Sequence, residues 1–455
     1  MISITVRDSI FAYRVDSVAT KRLDSECADK GAKYTRTGTG VSSLQSSPIR
    51  RPVSGLLPLL FVAILIIGLF LFRPAQTHLR VVSVFLRSSN PQTTGLGVRF
   101  ARHPFREETG LVQAAWGPLT YRLDIPLDAP RCGGVVLLHG IQRSGMDEQR
   151  FVNFSRALAA AGAEVMTPQL SELADYRVTT HTSDEIGYSA EFLSSLMHKR
   201  EVGVVGFSFA GGLALLAAAN PQHGAKMGFL LTVGAHDDLA RVARFLATGI
   251  AEMPGGSITI LQAHEYSALL VAYSHVEDFF STADTIRARE ALKLWLSALP
   301  DQSKDTAKRL TPEGKVRFDQ LLYHREQVRE LLLESAKVHA NEMAAVSPSG
   351  HLQHLTVPVY LLHAAADNVI PPSEALWLSY EVPKKAIREV LISPAIVHAD
   401  VAEKTSILQK WKLLHFLAHV LNNIDELENT RSKDLPSLST ARSSAAAGHD
   451  SVAQK

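Results

Sequence analysis

The stretch "VVGFSFAGGLALL", Val204 to Leu216, decides the fold of this chain. It begins as an apolar, β-branched run typical of a buried strand and ends in the apolar pattern of a helix. A single serine, Ser208, stands at the junction, with the small residues Gly206 and Ala210 two positions before and after it. This pattern predicts a tight strand-to-helix turn that exposes the serine hydroxyl above the carboxyl edge of a sheet.

Around this junction, apolar β-rich segments alternate with helical patterns. Such alternation predicts an α/β fold with a mostly parallel central sheet and helices on both faces. The predicted strands are "GVVLLHG", "AEVMTP", "EVGVVGF", "KMGFLLTVG", "VPVYLLHAAAD" and "IREVLIS", preceded by a hairpin, "LVQAAWGPLTYRLDI", that turns at Gly117–Pro118. The alternation stops over residues 236–354, where amphipathic helical patterns take over. We therefore expect a core of residues 111–235 and 355–422, interrupted by a helical insertion.

The ends of the chain differ from this core. Residues 1–54 and 429–455 mix polar and small residues without a sustained apolar period, which predicts flexible or disordered tails. The segment Gly55–Phe72 has 18 residues and no charge. As a helix it would be about 27 Å long, which is close to the thickness of the hydrocarbon core of a bilayer. We expect one transmembrane helix there, followed by a linker over residues 73–110.

Two alternatives to a transmembrane helix stay open: a cleaved signal peptide, which a true start near Arg50 would favour, and a buried core helix. Basic residues close to the segment are balanced between its two sides, but the tail before it holds more of them. This favours a tail inside the cell and a large domain on the extracytoplasmic side. Cys27 and Cys132 would then lie on opposite sides of the membrane and could not form a disulfide with each other.

Charge and motifs exclude several classes of function. The formal net charge of +2 is small for 455 residues, which argues against nucleic acid as the main partner. Because neither a Walker-type phosphate loop nor a dinucleotide fingerprint occurs, we expect no nucleotide cofactor. His351 and His354 have an i, i+3 spacing but lack neighbouring carboxylates or cysteines, so we predict a polar surface there and no metal site. The sequence does not indicate an oligomeric state.

The segment around Ser208 resembles the G-x-S-x-G nucleophile turn of the α/β-hydrolase superfamily. Gly206 occupies the first glycine position and Ala210 the last. The resemblance implies an α/β-hydrolase fold, in which the catalytic acid follows a later strand and the histidine comes last in the chain. It extends over roughly residues 111–421.

The acid can be assigned through a second segment. "VYLLHAAADNVIPPSEA" resembles the family's H-G-x-x-D-x-x-V-P pattern and places Asp367 just after a strand, with Ala364 and Ile370 at the glycine and valine positions. Some family members carry the acid after an earlier strand. Asp237 and Asp238, which follow "FLLTVGAH", are the alternative.

The base and the oxyanion hole follow from the same resemblance. "EVLISPAIVHADVAEK" places His398 after the last strand and before the closing helix, where the family carries its histidine. The oxyanion hole would use the backbone N–H groups of Phe209 and of Ile141, with Gln142 as the neighbouring alternative. His139 in the same loop is expected to have a structural role.

The resemblance implies a serine hydrolase. His398 would take the proton of Ser208, Asp367 would orient the imidazole, and an acyl-serine intermediate would form. A position beside a bilayer favours a lipophilic carboxylic ester as the small-molecule substrate. Thioester or amide cleavage by the same residues stays open, as does a non-catalytic module that binds a ligand or a protein through its insertion.

The insertion occupies the place where this family carries a helical cap. Its large apolar residues could line an acyl pocket or form the core of the cap itself. They are Phe245, Leu269, Leu270, Tyr273, Phe279, Phe280, Leu294 and Trp295.

Overall fold

The structure is a computed structural model that describes residues 68, 72–128, 133–198, 200–397, 400–401 and 405–429. His398, Cys27 and Cys132 lie outside the described residues, as do the N-terminal tail and nearly all of Gly55–Phe72. In the described part of the chain, the helices are too short or too polar to cross a membrane. The transmembrane helix therefore stays a prediction.

Strands from both halves of the chain form the centre of the protein. In chain order they are β1 (Phe105–Ala114), β2 (Gly117–Pro126), β3 (Gly134–Leu138), β4 (Glu164–Pro168), β5 (Val202–Phe207), β6 (Met227–Val233), β7 (Ile250–Glu252), β8 (Ile258–Ile260), β9 (Val359–Ala364), β10 (Ile387–Ser393), β11 (Ile396–Val397) and β12 (Asp400–Val401). Eight of them make one sheet in the order β1-β2-β4-β3-β5-β6-β9-β10. β2 pairs antiparallel with β1 and with β4, and the other neighbours are parallel. The predicted mostly parallel α/β sheet is confirmed.

The hairpin turns slightly earlier than predicted. Ala114 pairs with Gly117, so the turn is at residues 115–116 and not at Gly117–Pro118. Gly117 has φ = 137°, a conformation that glycine adopts without the steric cost of a Cβ. The glycine therefore begins the returning strand instead of occupying the turn.

Helices cover both faces of the sheet. The helices of the first part of the core are α1 (Arg73–Ser89), α2 (Gln149–Ala160), α3 (Ser171–Ala174), α4 (Thr180–Leu196), α5 (Phe209–Ala219) and α6 (Pro221–Gly224). The insertion contributes α7 (Leu239–Thr248), α8 (Ser267–Ser274), α9 (Thr285–Leu296), α10 (Pro300–Ala307), α11 (Pro312–Tyr323), α12 (Arg325–Val338) and α13 (Ala340–Ala345). The second part of the core adds α14 (Ser373–Glu381) and α15 (Ile407–Asn429). Because side chains alternate along a strand, β3 contributes to both cores. Val135 and Leu137 pack with α1, α2 and α15, whereas Val136 and Leu138 pack with α4, α5 and the insertion.

The range 73–110, predicted as a linker, is folded. It contains α1 and the start of β1, and α1 packs against α2 and α15. The guanidinium of Arg80 binds both carboxylate oxygens of Asp425, at 2.7 and 2.9 Å. Val81 and Val84 are buried in the same core. The linker prediction is corrected because this helix is held by groups of the C-terminal helix.

The insertion over residues 236–354 is mainly helical and also contains the short antiparallel pair β7 and β8. Its buried residues belong to the same apolar cluster as the sheet face beneath it; Phe245 and Leu269, for example, share that cluster with Val204. The insertion is thus part of the main core on this face.

Candidate active site

Ser208 lies between β5 and α5 in a conformation that a residue with a Cβ rarely adopts. Its backbone angles are φ = 55° and ψ = −133°. Its N–H donates to the Val233 carbonyl at 2.8 Å, and its own carbonyl accepts from Gly211 N–H at 2.9 Å. The turn is therefore fixed from both sides, and Ser208 is held partly exposed at the carboxyl end of β5.

Small residues make this turn possible. A Cβ on Gly206 would lie 2.8 Å from Gly211 Cα and 3.0 Å from the Ala210 carbonyl oxygen. Both atoms belong to the backbone and cannot move aside, so position 206 requires glycine. Ala210 is fully buried, so the turn accommodates its methyl group where the superfamily motif has glycine.

Asp367 lies three residues beyond β9 and is buried. Its Oδ1 accepts two backbone N–H groups, from Val369 at 2.9 Å and from Ile370 at 3.0 Å. Its Oδ2 lies 3.8 Å from His363 Nε2. These contacts fix the plane of the carboxylate. A catalytic acid that orients another side chain must itself be held in this way.

One short backbone segment links the serine to the acid. Val233 accepts the Ser208 N–H, and the next residue, Gly234, lies against Asp367: a Cβ on Gly234 would be 3.3 Å from Asp367 Oδ2. Gly234 in turn donates to the Leu362 carbonyl at 2.8 Å. The end of β6 therefore sets the relative position of the two predicted catalytic residues.

Ser208 and Asp367 line the same cavity, which has a volume of about 240 Å³. The predicted oxyanion residues Phe209 and Ile141 also line it, as does Gln142. The structure therefore brings together every predicted site residue that it describes. His398 lies outside the described residues, and the triad stays a prediction.

Two backbone donors at this cavity have the character of an oxyanion hole. Phe209 N–H is at the first position of α5, where a helix supplies no partner. Among the described residues, Ile141 N–H has no hydrogen-bond acceptor. The side-chain amide of Gln142, by contrast, donates to the Gly145 carbonyl at 3.1 Å and holds its own loop. Backbone N–H groups without an acceptor can stabilise negative charge that develops beside them during a reaction.

His139 has a structural role in the loop that carries Ile141. Its Nε2 accepts the Leu170 N–H at 3.0 Å, so Nδ1 carries the proton and donates to the Gly140 carbonyl at 2.8 Å. Complete burial lowers the pKa of His139 to about 4. The imidazole is neutral and both of its nitrogens are used, which is unsuitable for a catalytic base.

The alternative acids are engaged elsewhere. Asp237 Oδ2 binds the guanidinium of Arg241 at 2.8 Å, and Asp238 Oδ1 caps α7 by accepting Arg241 N–H at 2.9 Å. Arg241 also binds the buried Glu374 at 2.6 Å. Neither aspartate lines the cavity of Ser208.

The two histidines at positions 351 and 354 are exposed. Another cluster among the described residues was not predicted from the sequence: ligand atoms of His275, His339 and Glu342 lie within 4.8 Å of one another. The two imidazole rings are stacked 3.5 Å apart and nearly parallel. Because the in-plane lone pairs of parallel rings do not converge, the stacking does not favour binding of one metal ion by both rings.

Comparisons with known proteins found structural likeness without sequence matches. No family model matches the chain, and neither does a curated protein. It is similar to the structure of 2,6-dihydroxy-pseudo-oxynicotine hydrolase, with 16% identity and a TM-score of 0.39 over 70% of this chain and 68% of the other. It is similar to an esterase from Pyrobaculum calidifontis, with 15% identity and a TM-score of 0.37 over 73% of this chain and 88% of the other.

An acylaminoacyl peptidase is also similar, with 11% identity and a TM-score of 0.40 over 70% of this chain and 41% of the peptidase. The chain thus spans about two fifths of the peptidase's length.

The sheet supplies the context that the serine motif requires. A parallel strand, a strained turn at Ser208 and a helix follow one another in the middle of the sheet, and Asp367 follows a later strand. With its mostly parallel eight-stranded sheet and the helices around it, the chain has the α/β-hydrolase fold.

Proposed function

We propose that the chain is a serine hydrolase that cleaves a carboxylic ester through an acyl-Ser208 intermediate. The observation that carries this proposal is the strained turn at Ser208, which shares one cavity with Asp367 and with the open N–H groups of Ile141 and Phe209. Strain at an exposed serine is typical of functional sites, because a purely structural serine gains nothing from it.

In the proposed reaction, His398 accepts the Ser208 proton while Oγ forms a bond to the ester carbonyl carbon. The carbonyl oxygen becomes an oxyanion, which the N–H groups of Ile141 and Phe209 stabilise. The bond to the alcohol oxygen then breaks, and the alcohol leaves with the proton from His398. Water, deprotonated by His398, then forms a bond to the acyl carbon. The bond from that carbon to Ser208 Oγ breaks, His398 returns the proton to Oγ, and the acid leaves. The role given to His398 rests on its place in the chain after the last sheet strand.

The walls of the cavity favour a lipophilic ester over a polar one. Most lining side chains are aliphatic or aromatic; the charged ones are Glu148, Arg150 and Asp367. Apolar surface in a binding site favours ligands that bury apolar groups. Thioesters and amides could be cleaved by the same groups and belong in the substrate panel.

We also propose that Gly55–Phe72 anchors this hydrolase in a membrane, with the large domain on the extracytoplasmic side. The length and uncharged character of the segment support an anchor. Because α1 begins at Arg73 and packs on the core, the catalytic domain would follow the anchor directly. Extraction of the full chain by alkaline carbonate without detergent would contradict anchoring, and protease access in sealed vesicles reports the side.

The first test is labelling of the full chain with a fluorophosphonate probe, followed by mapping of the modified peptide. We expect modification at Ser208 that is lost in Ser208→Ala and His398→Ala while the melting temperature stays close to that of the wild type. The same variants should lose turnover of 4-nitrophenyl esters. A folded protein that neither reacts with the probe nor hydrolyses an ester would favour the non-catalytic binding module.

A further inference from the structure

The cavity at Ser208 continues on the sheet face that lies opposite the insertion. Val205 and Leu231 line it with side chains that belong to the core between the sheet and the helices α1, α2 and α15. Phe85 of α1, Phe154 of α2 and Leu417 of α15 line it from the helix side. Its apolar part therefore lies between the sheet and the first and last described helices.

The insertion contributes little to this cavity. Of its eight large apolar residues named above, only Leu270 lines it, joined by Tyr266. Phe245, Tyr273 and Phe279 are buried in the core on the other sheet face. Among the described residues, the cap therefore forms only a small part of the wall of this cavity.

We propose that the apolar part of the cavity binds the acyl chain of the substrate, with α1 and α15 as its outer wall. This inference rests on the proposed ester hydrolysis, because the chain must extend from a carbonyl carbon placed at Ser208. Apart from Ser88 and Ser89 at the end of α1, the side chains of α1 and α15 that line the cavity are apolar. A hydrocarbon chain therefore suits this wall, whereas a peptide would leave most of its polar groups there unpaired.

The volume of the cavity limits the length of the hydrocarbon chain that it can bind. Its volume of about 240 Å³ exceeds the roughly 150 Å³ at which an apolar protein cavity takes up benzene. This volume includes the part of the cavity at Ser208, and it is large enough for a single hydrocarbon chain of short to medium length. An unfilled apolar cavity destabilises a protein, so a bound chain would also offset that cost.

The position of α1 distinguishes this site from a pocket under a lid. Arg80 fixes α1 to Asp425 of α15, and Thr77 donates to Asn422 of the same helix at 2.9 Å. The wall is therefore a helix pair clamped by polar contacts. We expect chain-length preference to depend on α1 and α15 and to be insensitive to Phe245, Tyr273 and Phe279, the cap aromatics that do not line the cavity.

The test compares two substitutions on one helix. Leu417 and Leu414 of α15 are both partly buried in the same apolar core, but only Leu417 lines the cavity. In the full chain reconstituted in nanodiscs, kcat/KM is measured for 4-nitrophenyl acetate and 4-nitrophenyl octanoate. We expect Leu417→Trp to lower the octanoate-to-acetate ratio by about tenfold or more, since a few methylene contacts are worth that much. Leu414→Trp should leave the ratio unchanged.

Several results would overturn the site. An equal fall for both esters in Leu417→Trp, or a ratio that falls equally in Leu414→Trp, would contradict it while ester hydrolysis stood. If Leu417→Trp does not fold, Phe85→Trp tests the same wall from α1 with the same expected change in ratio.

A binding measurement separates the two proposals. In the Ser208→Ala background, octanoic acid is titrated by isothermal calorimetry, with the signal of empty nanodiscs subtracted. The acyl site is supported if the acid binds, Leu417→Trp weakens this binding and Leu414→Trp does not. If neither ester is hydrolysed in that case, only the proposed function fails. Absence of binding, together with turnover of acetate alone, would overturn the acyl site and leave the hydrolase.

Discussion

Gly140 lies directly against Ser208: a Cβ on Gly140 would be 3.1 Å from Ser208 Cβ and 3.8 Å from Ser208 Oγ. The φ of Gly140 is not positive, so alanine there brings no backbone strain. The added methyl group must displace the serine or the loop that carries Ile141. We expect Gly140→Ala to slow fluorophosphonate labelling by about 10- to 100-fold, because displacements below 1 Å at a reacting centre have effects of this order.

The melting temperature of Gly140→Ala shows whether slow labelling comes from the added methyl group beside Ser208 or from unfolding of the protein. A value close to that of the wild type, together with slow labelling, is the expected outcome. Labelling at the wild-type rate would mean that Gly140 does not position the nucleophile.

Substitutions of the two small residues that flank Ser208 should differ in their effect on labelling. A Cβ on Gly206 would meet the backbone of Gly211 at 2.8 Å, so Gly206→Ala should destabilise the fold by about 1–3 kcal/mol and abolish labelling. Ala210→Gly only removes a buried methyl near the start of α5. It should cost about 1 kcal/mol in helix propensity and leave the labelling rate unchanged. Thermal melting and labelling of both variants check this, and an inactive Ala210→Gly would show that the alanine is required.

The sequence predicted those parts of the site that depend on local chemistry. The turn at Ser208 needs small neighbours at fixed offsets, and Asp367 needs only a strand that ends just before it; both are visible in a short window of residues. The parallel sheet was predictable for the same reason, since each strand appears as a separate apolar run.

Contacts between distant parts of the chain were not predictable. In α1, Val81, Val84 and Phe85 have the spacing of an apolar helix face, yet the sequence alone does not show the partner against which this face packs. That partner includes Asp425, which lies 345 positions after Arg80. For the cap residues the sequence leaves both roles open, because an apolar side chain looks the same in a sequence whether it lines a pocket or fills a core. The structure places most of them in the core.

Ser208 offers a direct measurement of backbone strain. At φ = 55° a Cβ is unfavourable, so glycine should be the better residue at this position once the hydroxyl is removed. We expect Ser208→Gly to be more stable than Ser208→Ala by about 1 kcal/mol. Thermal melting of the two inactive variants gives the comparison.

Ser195 provides the matched control, because it is exposed and lies within α4. There the order should reverse, and Ser195→Gly should be less stable than Ser195→Ala. The difference should stay below the roughly 1 kcal/mol of a helix interior, because Ser195 is the second-last residue of α4. The same order at both positions would show that Ser208 is not strained.

His139 should make the protein sensitive to acid. Burial lowers its pKa to about 4 in the folded protein, below the value of 6.5 for an exposed histidine. Between these two values the unfolded chain binds more protons than the folded one, so stability is lost as the pH falls from 6.5 toward 4. The loss attributable to His139 should reach about 2 kcal/mol at pH 5.

The variant His139→Gln tests this expectation. Its side-chain amide can donate to the Gly140 carbonyl and accept from Leu170 N–H without titrating. This variant should be less stable than the wild type at pH 7.5 and lose less stability between pH 7.5 and pH 5. Thermal melting at both pH values measures the difference, and His351→Gln, which changes an exposed histidine, should follow the wild type. If His139→Gln lost as much stability on acidification as the wild type, His139 would be accessible to protons in the folded state, and its role as a fixed neutral link between the Gly140 and Leu170 backbones would be wrong.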